Sequence, residues 1–387
     1  MNAADPPLSE TRRARARRRA IPTAHTLKER FSGVRYLRLV PTFLSRIGGW
    51  VSSGLRSLEE KPLAVIGVAA GTTIATALVL GSYAGWPHVL RRIYAPHSWG
   101  WLAVCLAGEL IAYGGYVLTI RDMSRVDDGP EMDMAGSTQA VVAGFGVFAA
   151  TRASGGFAVD YWAFRRAGAG RRDAVSRVLA LGFIEYAVLG VIALAASFAL
   201  YFRLDGHASA WTTLPSLLVV PTFAAAFYVT SPKRVRRLSR PRSGVIKGPL
   251  SKGVAAADNA RSMLLSPREH GLGVIGNVLY WAGDILCLWA ALQLAGGMHI
   301  TLAALVLGYS GGYVLTRRAL PMGGAGVVEV ALTIALVGMG LHFVPALVGV
   351  VIYRLFNFWL PIVPALIMLP AIRELRRRFE DTAPRTT

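Results

Sequence analysis

Cysteine is nearly missing from this 387-residue chain: Cys105 and Cys287 are its only two, both inside apolar runs, so no disulfide framework or thiolate metal site can be built from them. Its seven histidines, His25, His88, His97, His207, His270, His299 and His342, are scattered without ligand spacing, so neither a metal nor a cofactor is expected. Acids are scarce, 22 Asp+Glu against 42 Lys+Arg, for a net charge of +20. In a soluble chain that excess would suggest nucleic acid. Here 53% of residues are hydrophobic, more than the roughly 45–50% of soluble domains. The basic excess then has a simpler origin in cytoplasmic loops, and no nucleic-acid partner is expected. A cleavable signal peptide is not expected either, because the basic run Arg12–Arg19 meets no apolar segment before Leu63.

What remains is apolar sequence in lengths that cross a bilayer, for which about 20 residues suffice. Such segments run over Leu63–Gly85, Trp99–Ile120, Ala174–Phe202, Thr213–Thr230, Leu272–Leu294 and Ala346–Leu369. Residues 1–61 carry thirteen Lys+Arg, Ser231–His270 carry ten, and more follow the last span, whereas Arg203–Trp211 has one and Ala295–His299 none. This alternation places both termini in the cytoplasm of a multi-pass protein of the cytoplasmic membrane. The expected organisation is a basic cytoplasmic region over 1–61, whose mixed aromatic and basic stretch Leu27–Leu58 suits an interfacial helix or a solvated tail. A membrane domain follows over 62–371, with a basic cytoplasmic loop at 231–270, and then a basic tail over 372–387.

Two further stretches, Ser137–Phe164 and Ile300–Leu341, are apolar at both ends and interrupted by Gly and Arg. Parity of the topology makes the first begin and end inside and the second begin and end outside, so each is a pair of spans or a re-entrant hairpin. In "AVVAGFGVFAATRASGGFAVD" (Ala140–Asp160) and "ALVLGYSGGYVLTRRALPMGGAGVVE" (Ala304–Glu329), Ala-x-Val-x-Gly-aromatic precedes Thr-Arg, a Gly-Gly pair and an acid. A repeat of opposite sidedness is the signature of transporters whose broken helices meet near the midplane. The fold expected is therefore all-α and polytopic, with about 6–8 spans and two interrupted hairpins as an inverted repeat.

Helix-breaking glycine and proline at membrane depth need a protein-lined or watery cavity. The glycine pairs Gly155/Gly156 and Gly323/Gly324, with Gly326, would expose backbone N–H groups at half-helix starts, where the dipole favours an anion. Arg152, Arg317 and Arg318 would add charge-assisted donors suited to phosphate or carboxylate. Glu329 would pair with one of these arginines. A turn at the surface with snorkelling arginines accounts for the same residues without a ligand. Glu109, Asp160, Glu185, Asp284 and Arg354 form a further set of intramembrane charges, which usually face a bundle interior. Asp284 with Arg354 is the expected ion pair there. Asn277 shares the helix face of Asp284, and Asn357 that of Arg354.

Two soluble-enzyme patterns, "GLGVIG" (Gly271–Gly276) and "GYSGG" (Gly308–Gly312), lack the strand-turn-helix setting they need, so the first is taken as helix-packing glycine and neither supports catalysis. The segment "LPMGGAGVVEVAL" (Leu320–Leu332) resembles the Pro-Gly-Gly-x-Gly-x-x-Glu signature of the lysylphosphatidylglycerol synthetase transmembrane-region family, also described as flippase-like. "TRASGGFAVDYWAFRRAGAGRRDAVSRVLALGFIEY" (Thr151–Tyr186) is similar to that family's first conserved region, and the likeness extends over roughly residues 60 to 372. Met322 between Pro321 and the glycines, and Val328 in place of the usual arginine, depart from the pattern.

The resemblance implies a membrane protein with lipid-linked roles. In bifunctional members this domain moves an aminoacylated phospholipid made by a C-terminal cytosolic domain. The chain ends at Thr387, without room for such a domain, so it is expected not to be an enzyme. A lipid translocase handling an anionic phospholipid or an isoprenoid-linked lipid is the expected function. The alternatives are a transporter for a small soluble anion, or a non-transporting partner of a lipid-modifying enzyme or glycosyltransferase.

Overall fold

The structure is a computed structural model that describes residues 62–94, 98–150, 155–202, 249–296, 299–317 and 321–365, with isolated positions at 221, 224, 225, 228, 231 and 367. The expected interfacial stretch within 1–61, most of the Thr213–Thr230 span and the tail 372–387 lie outside the described residues. Those described form helices and turns and include no strand. In chain order they are α1 (Pro62–Ala84), α2 (Trp86–Tyr94), α3 (Gly100–Arg125), α4 (Met134–Ala150), α5 (Gly155–Ala167) and α6 (Arg171–Tyr201). Then follow α7 (Pro249–Leu265), α8 (Pro267–Gly296), α9 (Leu302–Arg317), a 3₁₀ turn (Pro321–Gly324), α10 (Val327–Gly338) and α11 (Phe343–Arg354). Helix α11 continues through a π turn, Leu355–Trp359, to Ala365.

Five helices among the described residues are long and apolar enough to cross a membrane: Ala64–Ala84, Gly100–Arg125, Arg171–Tyr201, Arg268–Gly296 and Phe343–Ala365. The protein is thus an all-α, multi-pass membrane protein. Each boundary has a local cause. Helix α1 opens on Pro62, whose missing N–H costs nothing in the first turn, and closes before Gly85 at φ +82°. At the end of α3 the buried Arg177 guanidinium donates to the carbonyls of Met123 (2.5 Å) and Val126 (2.8 Å), which the helix terminus leaves without partners. Helix α8 kinks at His270, and the Gly273 N–H donates to the Asp122 carboxylate at 2.7 Å. Inside the stretch read as the 231–270 loop, Pro249–Leu265 forms α7, which buries Ala256, Ala260 and Met263 and joins α6 through Asn259 Nδ2 donating to Ser176 Oγ at 3.0 Å.

The centre of the fold is the antiparallel pair α3 and α8. A Cβ placed on Gly108 would stand 2.7 Å from the carbonyl oxygen of Gly283, and one on Gly115 would stand 2.3 Å from that of Gly276. Only glycine permits backbones this close, and close approach is what holds helices together where lipid removes the hydrophobic drive. Gly273 and Gly276 of the "GLGVIG" stretch are in this seam, against Asp122 and Leu118, so they are packing glycines.

Each central helix leads into a hairpin of two short helices and then a long one: α3, α4/α5, α6 in the first half and α8, α9/α10, α11 in the second. The register is common to both. Gly108 and Gly115 precede Gly276 and Gly283 by 168 residues, and Gly155/Gly156 precede Gly323/Gly324 by the same 168. Because α3 and α8 run antiparallel, the two halves enter the fold in opposite directions.

The hairpin helices have 17 and 13 residues in the first half and 16 and 12 in the second. At 1.5 Å per residue the last two are about 24 and 18 Å long, short of the roughly 30 Å hydrocarbon core. At the tip of the second hairpin, a Cβ on Gly326 would meet Thr76 Oγ1 at 2.8 Å and Thr72 Cγ2 at 2.9 Å, both in the middle of α1. The tip of the second hairpin therefore packs against the middle of α1.

Candidate functional site

The tip of the second hairpin is built from left-handed backbone. Met322 (φ 54°), Gly323 (60°), Gly324 (68°) and Gly326 (85°) all have positive φ, which glycine adopts freely and methionine does not. This run brings the chain into α10, whose third residue, Glu329, reaches back to its start: Gly326 N–H donates to Glu329 Oε2 at 2.7 Å. The other carboxylate oxygen accepts Arg354 Nε–H at 3.0 Å from α11, and both side chains are essentially fully buried. Arg354 Nη2 donates to the Gly323 carbonyl at 3.2 Å, and its guanidinium lies 4.3 Å from the centre of the Phe358 ring. Carboxylate, guanidinium and two backbone groups thus satisfy one another in a dry place, where an unpaired charge would be costly.

A second cluster adjoins it. Asp284, fully buried in the middle of α8, accepts hydrogen bonds from Tyr309 Oη on α9, from Tyr353 Oη at 2.8 Å and from Asn357 Nδ2 at 2.7 Å. Asn357 belongs to the π turn, where Leu360 N–H donates to the Leu355 carbonyl at 2.8 Å. Such widened turns often mark functional positions. Glu109 of α3 is buried as well. The arrangement holds an internal carboxylate between the Arg354 guanidinium and the Gly326 N–H.

One expected pairing is corrected. Among the described residues Glu329 pairs with Arg354, so Arg354 bonds Glu329 rather than Asp284, which draws on hydroxyl and amide donors. Helical periodicity places residues on a face without saying which helix comes to meet it. The half-helix start, expected to offer N–H groups to an outside anion, holds a carboxylate of its own at Gly326. Arg152 and Arg318 lie outside the described residues, and Arg317 ends α9.

Asp160, on α5, is buried and accepts Tyr116 Oη of α3 at 3.2 Å. Glu185, also buried, lies on α6, where its backbone carbonyl takes the Trp281 indole N–H at 2.9 Å. Tyr309 and Tyr353 escaped the sequence reading. The "GYSGG" match hid the first, and the second directly precedes Arg354 in an otherwise apolar span. The pattern defining the lysylphosphatidylglycerol synthase TM region matches residues 64–365, all of the elements just described.

The chain belongs to that family. No curated protein matches it. Membership in the lysylphosphatidylglycerol synthase TM region family makes it a membrane protein related to lipid synthesis and flipping. The segment that resembles the family's signature, from Pro321 on, covers the 3₁₀ turn, the left-handed tip and the start of α10. Its glutamate is the residue that closes on Arg354.

Proposed function

We propose that this protein is a lipid translocase and not an enzyme, moving an anionic phospholipid or isoprenoid-linked lipid between the leaflets of the cytoplasmic membrane, with both termini in the cytoplasm. One observation carries the reading: a hairpin tip packed against the middle of α1 holds a carboxylate between a guanidinium and a half-helix N–H. A headgroup phosphate has the charge and oxygen geometry to take the place of Glu329 on Arg354 and Gly326. Arg152, Arg317 and Arg318, which precede the glycine pairs in the chain, and the glycines Gly155, Gly156, Gly323 and Gly324 would guide the headgroup while the tails stay in lipid. The basic segments 1–61, 231–270 and 372–387 would lie against the anionic inner leaflet.

The test is leaflet exchange of labelled anionic phospholipids in liposomes containing the purified full chain, alongside Arg317→Ala/Arg318→Ala protein. Exchange by the wild type that falls to the empty-liposome rate in the variant supports the reading. A wild type no faster than empty liposomes across phosphatidylglycerol, phosphatidic acid and a polyprenyl phosphate overturns it.

A further inference from the structure

A second place suited to lipid lies away from the hairpin tips. Helix α2 is only nine residues long, and Trp86, Val89 and Ile93 form a stripe along it that lines an apolar groove of about 340 Å³. On its other sides His88 and Arg91 are exposed. Val89 packs on Val348 near the start of α11 and on Ala295 at the end of α8, so α2 sits at the end of the bundle where α1 finishes and α3 begins. Trp86 and Trp99 both line the groove, as aromatic residues do at a membrane–water boundary.

The groove has a length as well as a position. Its floor follows α11 from Leu347 to Phe356, nine steps that at 1.5 Å each make about 14 Å, the depth of one leaflet of a roughly 30 Å core. Its lining is almost wholly apolar, which excludes a free phosphate or a sugar from its interior. Beside it α2 exposes His88 and Arg91, and the sequence from 85 to 99 has no acid. An anionic headgroup beside α2, with a hydrocarbon chain descending to mid-depth, matches both halves of the site.

We infer that this groove binds one acyl chain of an anionic phospholipid whose headgroup lies beside His88 and Arg91. The inner end of the chain would contact Phe356 of the π turn, whose other residues include Asn357, bonded to Asp284, and Phe358, which carries the Arg354 guanidinium. Occupancy of the groove would thus be felt at the polar network. The inference rests on the lipid-handling reading above for the class of ligand, and deepens it by giving the tail a place.

The experiment uses the full chain in phosphatidylcholine liposomes doped with phosphatidylglycerol bearing a photoreactive acyl chain, with adducts mapped by peptide mass spectrometry. Adducts on the 86–93 and 347–356 segments should exceed those on Ile74 and Val79, the lipid-exposed face of α1. Ala77→Trp, which fills the groove, should bring them down to that reference. Arg91→Ala, an exposed change that leaves packing intact, should cut the preference for phosphatidylglycerol over a phosphatidylcholine probe by about fivefold, the ratio for ~1 kcal/mol per basic residue. Wild-type groove adducts no higher than the reference, or a preference unmoved by Arg91→Ala, overturn the inference. Leaflet exchange is scored on the same samples: exchange without groove adducts removes the groove alone, and groove adducts without exchange remove the translocase reading alone.

Discussion

The two hairpins have the same plan, and their described acids meet different partners. In the second, Glu329 is held by a guanidinium from α11 and by its own helix start, and Asp284 behind it is met by two tyrosines and an asparagine. In the first, Asp160 takes the Tyr116 hydroxyl at 3.2 Å. Tyr116 stands 168 residues before Asp284. Where Asp284 accepts from the tyrosine of α9, Tyr116 meets Phe145 of α4 edge-on, with ring centres 5.5 Å apart. The two halves share their glycine register, while at the position of Asp284 the first half has Tyr116, which meets Phe145 by its ring and Asp160 by its hydroxyl. Scaffold and chemistry are therefore separable: glycine spacing sets how the halves meet, and the side chains between them differ.

The sharpest break in this comparison comes from the buried pair. Glu329→Ala or Arg354→Ala leaves a buried charge without its partner and should cost about 3–5 kcal/mol. Asp160→Ala, which frees one tyrosine hydroxyl, should cost nearer 1–3 kcal/mol. Thermal unfolding of the three proteins in one detergent reads the difference. The double variant Glu329→Leu/Arg354→Met should be less destabilised than the sum of its two single changes, since neither charge is left behind. Equal losses at Glu329 and Asp160, or additivity in the double variant, would mean the halves do not differ as described.

The glycine seam makes the complementary prediction, that the halves respond alike. Gly115→Ala would put a Cβ 2.3 Å from the Gly276 carbonyl oxygen, and Gly283→Ala would put one 2.4 Å from that of Gly108. Neither backbone can move without parting α3 from α8, and overpacking of this kind costs about 1–3 kcal/mol. Matching losses in unfolding temperature are expected. A large loss at one position and none at the other would show that the shared register does not correspond to shared packing.

Much of this was legible in the sequence, and the limits have physical causes. Apolar length located α1, α3, α6, α8 and α11, because a bilayer imposes its own thickness on the chain. The Gly-Gly pairs marked both hairpins, since few other residues permit such breaks. Burial of Glu109, Asp160, Glu185, Asp284 and Arg354 followed from the cost of charge in lipid. Partner choice did not follow. Arg354 is three residues from Asn357 on its own helix, yet its partner Glu329 and the partner of Asn357, Asp284, come from different elements. No periodicity encodes which neighbour arrives. Tyr309 and Tyr353 were hidden for a related reason: a tyrosine in an apolar run reads as packing until the acceptor for its hydroxyl is known.

The smallest expected effect lies at Met322, the residue that interrupts the family's Pro-Gly-Gly pattern. It holds φ 54° beside glycines that adopt such angles freely, and a left-handed conformation costs a residue with a Cβ about 1–2 kcal/mol. Met322→Gly removes that strain, but it also frees the unfolded chain, which returns about 0.4–1 kcal/mol. The half-buried methionine side chain gives up some apolar contact as well. The balance should be a gain of about 0.5 kcal/mol, or roughly 1–2 °C in unfolding temperature. The same substitution at Val328, which sits in ordinary helix, should only destabilise, by about 1 kcal/mol for the glycine in addition to the lost burial. Loss of stability in Met322→Gly as large as in Val328→Gly would mean that the methionine side chain, and not the glycine run, sets the shape of the tip. The tip would then be specific to this chain rather than to the motif it interrupts.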